Sequence, residues 1–158
     1  MSGAGSPEIA VAVSPDTRVV IVAASWHEQV MDGLVASAIK TVEAAGAKAE
    51  LHRVPGTFEL SLAAQAAIVG GADAVVALGV VIRGGTPHFD YVCNAVTDGI
   101  NRVSLDTGVP IGFGVLTCDD EQQALDRAGL ANSKEDKGAE AATAALAMLK
   151  VLHTLKNA

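Results

Sequence analysis

The run Arg83-Gly84-Gly85-Thr86-Pro87-His88 brings two chemistries together within six residues. A helix is expected to open here. Thr is a good N-cap, and Pro suits the first helical position because its missing N–H would be unpaired there anyway. Free backbone N–H groups then gather at the positive end of a helix, and the glycines carry no side chain to keep a ligand away. Such a corner can hold a phosphate. His88 adds an imidazole, a group that changes charge around neutral pH and can pass protons. The helix start disfavours an imidazolium and suits a neutral base, whereas a bound phosphate would favour protonation. The plain alternative is a common Gly-Gly turn followed by an ordinary surface histidine.

Other chemistry-bearing groups fall at similar corners. Ser25-Trp26-His27 holds the only tryptophan, a ring on which a planar ligand can stack. In Gly56-Thr57-Phe58-Glu59 the carboxylate lies where a helix is expected to begin. Glu59 then either complements the helix dipole or accepts hydrogen bonds from a polyhydroxyl chain. Thr117-Cys118-Asp119-Asp120 leads on to Arg127 and Lys137. Arg127 can grip a phosphate with paired N–H donors, or simply pair with Glu121, Gln123 or Asp126. His27, His52 and His153 read as ordinary polar positions. Cys93 and Cys118 lack metal-type spacing and are expected to be reduced thiols.

These groups need elements to position them. Apolar runs at residues 17–24, 73–82 and 109–117 read as strands, and residues 48–54, closed by Pro55-Gly56, as a second strand in chain order. Helical spacing marks residues 27–45, 58–69, 87–105, 120–128 and 136–155 as helices. In the third helix, for example, Phe89, Val92, Val96, Ile100 and Val103 form one stripe. The alternation implies an α/β fold of three layers, a four-stranded parallel flavodoxin-like sheet with helices on both faces. Ligands of such sheets bind beyond the carboxyl ends of the strands, where the corners above fall. The last helix carries two apolar sets, Ala141, Ala145, Met148, Leu152 and Leu155 beside Ala142, Leu146 and Leu149. That width fits either a subunit interface or a helix sunk in its own domain.

At 158 residues the chain has room for one domain, expected over residues 16–158, after a leader and arm over residues 1–15. Residues 1–7 read as a flexible leader and residues 9–13 as a short extended arm. Half of the residues are hydrophobic but only 3% are aromatic, so Val, Leu, Ile and Ala must build the core. A net charge of −7 argues against nucleic acid or an anionic membrane as partner. An anionic substrate must then be held by local charges. The start of the chain has no basic segment followed by an apolar run, and no stretch is long enough to span a bilayer, so a cytoplasmic location is expected.

Several of these motifs, taken in order, resemble the lumazine synthase family. They are Gly79-Val-Val-Ile-Arg-Gly-Gly-Thr-Pro-His-Phe-Asp-Tyr-Val-Cys93, Val54-Pro-Gly-Thr-Phe-Glu59, Gly114-Val-Leu-Thr117, Gln123-Ala-Leu-Asp-Arg-Ala-Gly129 and Asp136-Lys-Gly138. The resemblance covers residues 18–155. It implies the penultimate step of riboflavin biosynthesis, in which 5-amino-6-(D-ribitylamino)uracil and 3,4-dihydroxy-2-butanone 4-phosphate give 6,7-dimethyl-8-ribityllumazine, phosphate and water. No metal and no organic cofactor are implied. Trp26 would stack on the pyrimidine; Thr57, Phe58 and Glu59 would hold the ribityl chain; the backbone of Val80, Val81 and Ile82 would read the uracil edge. Gly85, Thr86 and Arg127 would bind the phosphate, and His88 would transfer protons. Phe113 would come from a neighbouring subunit, and Lys137 would approach the heterocycle.

Cys118, where threonine is usual, and Gln122, where many relatives have Glu, depart from the family pattern at positions that do not contact substrate. Residues 130–136 resemble the longer connection of pentameric members, so a homopentamer with sites between subunits is expected. Riboflavin synthase is a further possible partner. Two other readings stay open: a non-catalytic lumazine- or flavin-binding protein, which could dispense with His88 and Arg127, and a generic flavodoxin-like nucleotide-binding module.

Overall fold

The computed structural model describes Gly5 and residues 7–158. Strand β1 (Arg18–Ala24) leads to helix α1 (Glu28–Ala44), and β2 (Lys48–Val54) to a 3-10 turn (Thr57–Glu59) and α2 (Leu60–Val69). Then come β3 (Ala74–Ile82), α3 (His88–Thr107), β4 (Ile111–Cys118), the short α4 (Glu121–Leu125) and α5 (Lys137–Lys156). The strands form one parallel sheet in the order β2-β1-β3-β4. The expected α/β layering is therefore the observed one.

Alternation along the strands builds two cores. Val19, Ile21 and Ala23 of β1, with Val76, Leu78 and Val80 of β3, face α1 and α5. Val20 and Val22, with Val75 and Ala77, face α2 and α3 and meet Leu60, Ala64, Val96 and Ile100. Successive side chains of a strand point to opposite faces, so an all-apolar strand serves both layers. Leu34, Leu60, Leu78 and Leu146 are fully buried, each worth roughly 1.5–3 kcal/mol of transfer free energy. Close approach matters between α5 and α1: a Cβ at Gly138 would lie 2.2 Å from the Leu34 carbonyl oxygen.

Differences from the sequence reading have local causes. The second helix starts at Leu60, because residues 57–59 wind as a tighter turn. The fourth strand starts at Ile111, because Pro110 has no N–H for the ladder; its carbonyl still accepts from Val75 N–H at 3.0 Å. Helix α4 stops at Leu125, where the Asp126 carbonyl turns aside to accept Lys134 and Glu135 N–H at 2.8 and 2.9 Å. In residues 9–13, Val11 and Val13 pack on the α1–α5 core, and Val13 N–H donates to Ala45 O at 3.0 Å. The leader expected at residues 1–7 falls largely outside the described residues. The first half of α5 is sunk in the domain, while Met148, Val151 and Leu155 are exposed. No helix among the described residues is long and apolar enough to cross a membrane.

Candidate active site

A cleft of about 550 Å³ lies beyond the carboxyl ends of β1, β2 and β3. It is lined by Trp26, His27, residues 56–59, Val80, Val81, Ile82, His88 and Val92. A groove of about 630 Å³ beside residues 9–11, α1 and α5 has no aromatic ring or imidazole in its wall. Chemistry rather than size singles out the first.

Each wall follows from local structure. After β1, Ser25 Oγ donates to Val54 O at 2.7 Å and ties the turn to the end of β2. His27 then takes left-handed angles, φ 59° and ψ 63°, the only non-glycine among the described residues with positive φ. That conformation costs roughly 1–2 kcal/mol, and the His27 carbonyl still accepts the first helical bond, from Met31 N–H at 2.9 Å. Beside this sharp corner, Trp26 is left 68% exposed. The sequence reading passed over His27. Its signal was a residue tolerant of left-handed angles wedged between a strand and a helix.

At the end of β2, Gly56 sits between two cleft groups. A Cβ there would lie 3.1 Å from Glu59 Oε2 and 3.6 Å from Trp26 Nε1, so carboxylate and indole flank the same glycine. Phe58 is 62% exposed beside them. Thr57 is buried and its Oγ1 donates to Val80 O at 3.3 Å. That approach needs Gly79, where a Cβ would stand 2.7 Å from Thr57 Oγ1.

Strand β3 outruns β1. Their pairing ends at Ala23 with Leu78, while β3 continues, paired with β4, to Ile82. One backbone edge of residues 79–82 is thus free of a strand partner beside the cleft. The phosphate-type corner follows. A Cβ at Gly84 or Gly85 would meet nothing within 4 Å, and neither has positive φ. These glycines leave open room that neither backbone nor packing demands. Pro87 already has helical angles, and His88 N–H reaches Thr86 Oγ1 at 3.4 Å, a long capping bond. His88 is exposed, and its imidazole has no hydrogen bond or ion pair among the described residues.

Phe113, Arg127 and Lys137 lie outside this cleft. Phe113 is 44% exposed on edge strand β4, opposite Ala77 in register. Arg127 and Lys137, ten positions apart, are adjacent in a hairpin: Lys137 N–H donates to Arg127 O at 3.0 Å, and Gly129 N–H to Glu135 O at 3.2 Å. This hairpin packs on α1, where a Cβ at Gly33 would lie 2.4 Å from Ala128 O. It therefore belongs to the α1–α5 side of the sheet, whereas His88 and Val92 place the cleft on the α3 side. The Arg127 guanidinium donates to Gln123 O at 2.7 Å and so keeps donors for another acceptor. Lys137 pairs with Glu135 and Glu140. Burial pulls its pKa down, but the bonds to those carboxylates outweigh burial and hold it above lysine's ordinary value. Burial pushes the Cys93 and Cys118 thiols up, which makes them poor nucleophiles. No group of three or more His, Cys, Asp or Glu among the described residues could hold a metal.

Residues 16–153 match the family described as 6,7-dimethyl-8-ribityllumazine synthase. A protein of that name from Leifsonia xyli subsp. xyli is 62% identical over 158 residues, covering 99% of this chain and all of the relative. Those of Streptomyces avermitilis (58%, covering 99% and 98%) and a Nocardioides species (60%, covering 98% and 97%) are similar. The chain belongs to the 6,7-dimethyl-8-ribityllumazine synthase family. It is thus an enzyme, and lumazine synthase activity in riboflavin biosynthesis goes with that membership.

Of the residues expected from the family resemblance, the cleft gathers Trp26, Thr57, Phe58, Glu59, Val80, Val81, Ile82 and His88. Gly85 and Thr86 border it in sequence. Phe113, Arg127 and Lys137 of the same chain do not line it.

Proposed function

We propose that the chain condenses 5-amino-6-(D-ribitylamino)uracil with 3,4-dihydroxy-2-butanone 4-phosphate at this cleft. One observation supports the assignment of roles: an aromatic platform, a carboxylate, a stretch of β3 that has outrun its β1 partner and an imidazole line one cleft, and the open glycine corner leads into that imidazole in sequence. The pyrimidine stacks on Trp26, and its edge hydrogen-bonds to the backbone of Val80, Val81 and Ile82. Thr57 and Phe58 line the path of the ribityl chain, whose hydroxyls donate to Glu59. The phosphate sits at Gly85 and Thr86.

The chemistry suits these groups. The uracil amine attacks the ketone and water leaves, phosphate departs by elimination, and the second nitrogen closes the ring with loss of a further water. Each step moves a proton, and in this reading His88 carries it. Holding two substrates in register supplies much of the remaining acceleration. Arg127 and Lys137 come from a neighbouring copy, because within one chain the hairpin and the cleft lie over opposite faces of the sheet; Phe113, exposed on edge strand β4 and outside its own chain's cleft, comes from the same neighbour. A homopentamer is the assembly this reading adopts, from the length of the 130–136 connection, with each site at a subunit boundary. Riboflavin synthase, which would consume the product, is a possible partner.

The test mixes purified protein with both substrates and follows lumazine fluorescence and phosphate release against a protein-free control. Acceleration with equimolar phosphate is expected, and His88→Ala should slow turnover by about 10- to 100-fold without abolishing it. Tight lumazine binding without acceleration would instead favour a binding protein.

A further inference from the structure

Arg83 stands outside the cleft wall yet joins three elements around the phosphate corner. Its Nε donates to Asp119 Oδ1 at 2.9 Å, just past β4. Its Nη1 lies 3.6 Å from Asp90 Oδ1 in the first turn of α3. The guanidinium carbon is 4.2 Å from the Phe89 ring centroid, and Phe89 is buried. Its own N–H donates to Cys118 O at 2.9 Å, which fixes where residues 84–88 begin. Only a planar guanidinium can stack on a ring while pointing donors toward two carboxylates.

The charges give this arrangement a purpose. Asp90 follows the corner closely, its N–H bonded to Pro87 O at 3.0 Å, and Asp119 lies beside the end of β3. Left alone, two carboxylates beside an anion site repel the anion. We infer that Arg83 is a positioning residue that neutralises Asp90 and Asp119 and pins the corner, and so sets affinity for the phosphorylated co-substrate. The inference rests on the proposed function. Arg83 is half exposed, so its effect must weaken as salt rises.

The test is steady-state kinetics for both substrates at low and high ionic strength, with Arg83→Met, Asp90→Asn/Asp119→Asn and the triple variant. Arg83→Met is expected to raise KM for the phosphorylated substrate about tenfold at low salt and less at high salt. KM for the uracil and kcat should stay within about twofold. The triple variant should return the phosphate KM to within about threefold of the original. Equal rises in both KM values, a salt-independent rise, or a triple variant as poor as Arg83→Met would overturn the inference and leave lumazine formation untouched. Should Arg83→Met fail to fold, Asp90→Asn/Asp119→Asn decides. With Arg83 released, the phosphate KM should fall about threefold, and an unchanged or higher value overturns the inference. Original protein that makes no lumazine defeats the proposed function instead. Calorimetry with inorganic phosphate then reads the charge argument: about tenfold weaker binding to Arg83→Met supports it, and equal binding overturns it.

Discussion

The corner at residues 84–88 and the hairpin at residues 126–137 both offer themselves to an anion, yet they are built in opposite ways. The corner is exposed and sparsely bonded, with glycines whose missing side chains would touch nothing. The hairpin is cross-tied: Asp126 O accepts two backbone N–H groups, Lys137 N–H is fixed on Arg127 O, and Ser133 Oγ reaches Leu125 O. One region is held open for a ligand. The other is a stiff mount for a guanidinium, tied down by its own backbone bonds. The sheet lies between them, and under the proposed function the hairpin of one chain serves the cleft of another.

The largest break of this comparison removes the mounted cation. Arg127→Ala should raise KM for the phosphorylated substrate about 100-fold, the scale of a charge-assisted bond to phosphate. KM for the uracil should stay within about threefold. Equal losses for both would make Arg127 a structural residue. The same variant sharpens the question of whose cleft it serves. Co-expressed with Trp26→Ala in the proposed pentamer, it would leave about a quarter of the sites pairing two intact halves. Activity near a quarter of the original is expected from two variants that are each nearly silent under limiting substrate. No recovery would mean that cleft and hairpin act within one chain.

A stability pair separates open corner from stiff mount. Gly129 has φ +69°, and a Cβ there would lie 2.6 Å from both Asp136 Cγ and Ser37 Oγ. Gly129→Ala should cost about 2 kcal/mol in a urea titration, from left-handed strain plus crowding. Gly85→Ala should change stability by less than about 0.5 kcal/mol. It should still weaken the phosphorylated substrate, because its methyl group occupies room left for a ligand. Similar costs at the two glycines would erase the contrast.

This contrast also marks what the sequence could tell. The strand at residues 48–54 was readable to the residue, since Gly46 and Pro55-Gly56 bracket it. Trp26, Glu59 and His88 were readable because each follows a strand end in an alternating pattern, whereas Val80, Val81 and Ile82 lie within β3 and entered only through the family resemblance. Arg83 had no role in that reading: its partners Asp119 and Phe89 come together only when β4 and α3 pack beside β3. The neighbourhood of Arg127 and Lys137 was likewise hidden, because it depends on backbone bonds across a turn, not on side-chain periodicity. His27 takes a left-handed angle that only its residue type and its place between a strand and a helix hinted at.

The smallest expected effect tests how the mount is held. The bond from Lys134, with a second from Gln122, keeps the Asp126 carboxyl below its ordinary value against the opposing effect of burial. A carboxyl depressed in the folded state contributes stability at pH values above its unfolded pKa and loses it as pH falls through the folded value. Asp126→Asn should therefore lower the thermal midpoint slightly at pH 7. The gap to the original should narrow as pH drops below about 4 and shrink with added salt, since the Lys134 partner is exposed. The backbone oxygen that receives Lys134 and Glu135 N–H survives the substitution. Arg127 should then keep its place, and KM for the phosphorylated substrate should stay within about twofold. A rise approaching that of Arg127→Ala would mean that the ion pair, and not the backbone ties, holds the cation where a second chain can use it.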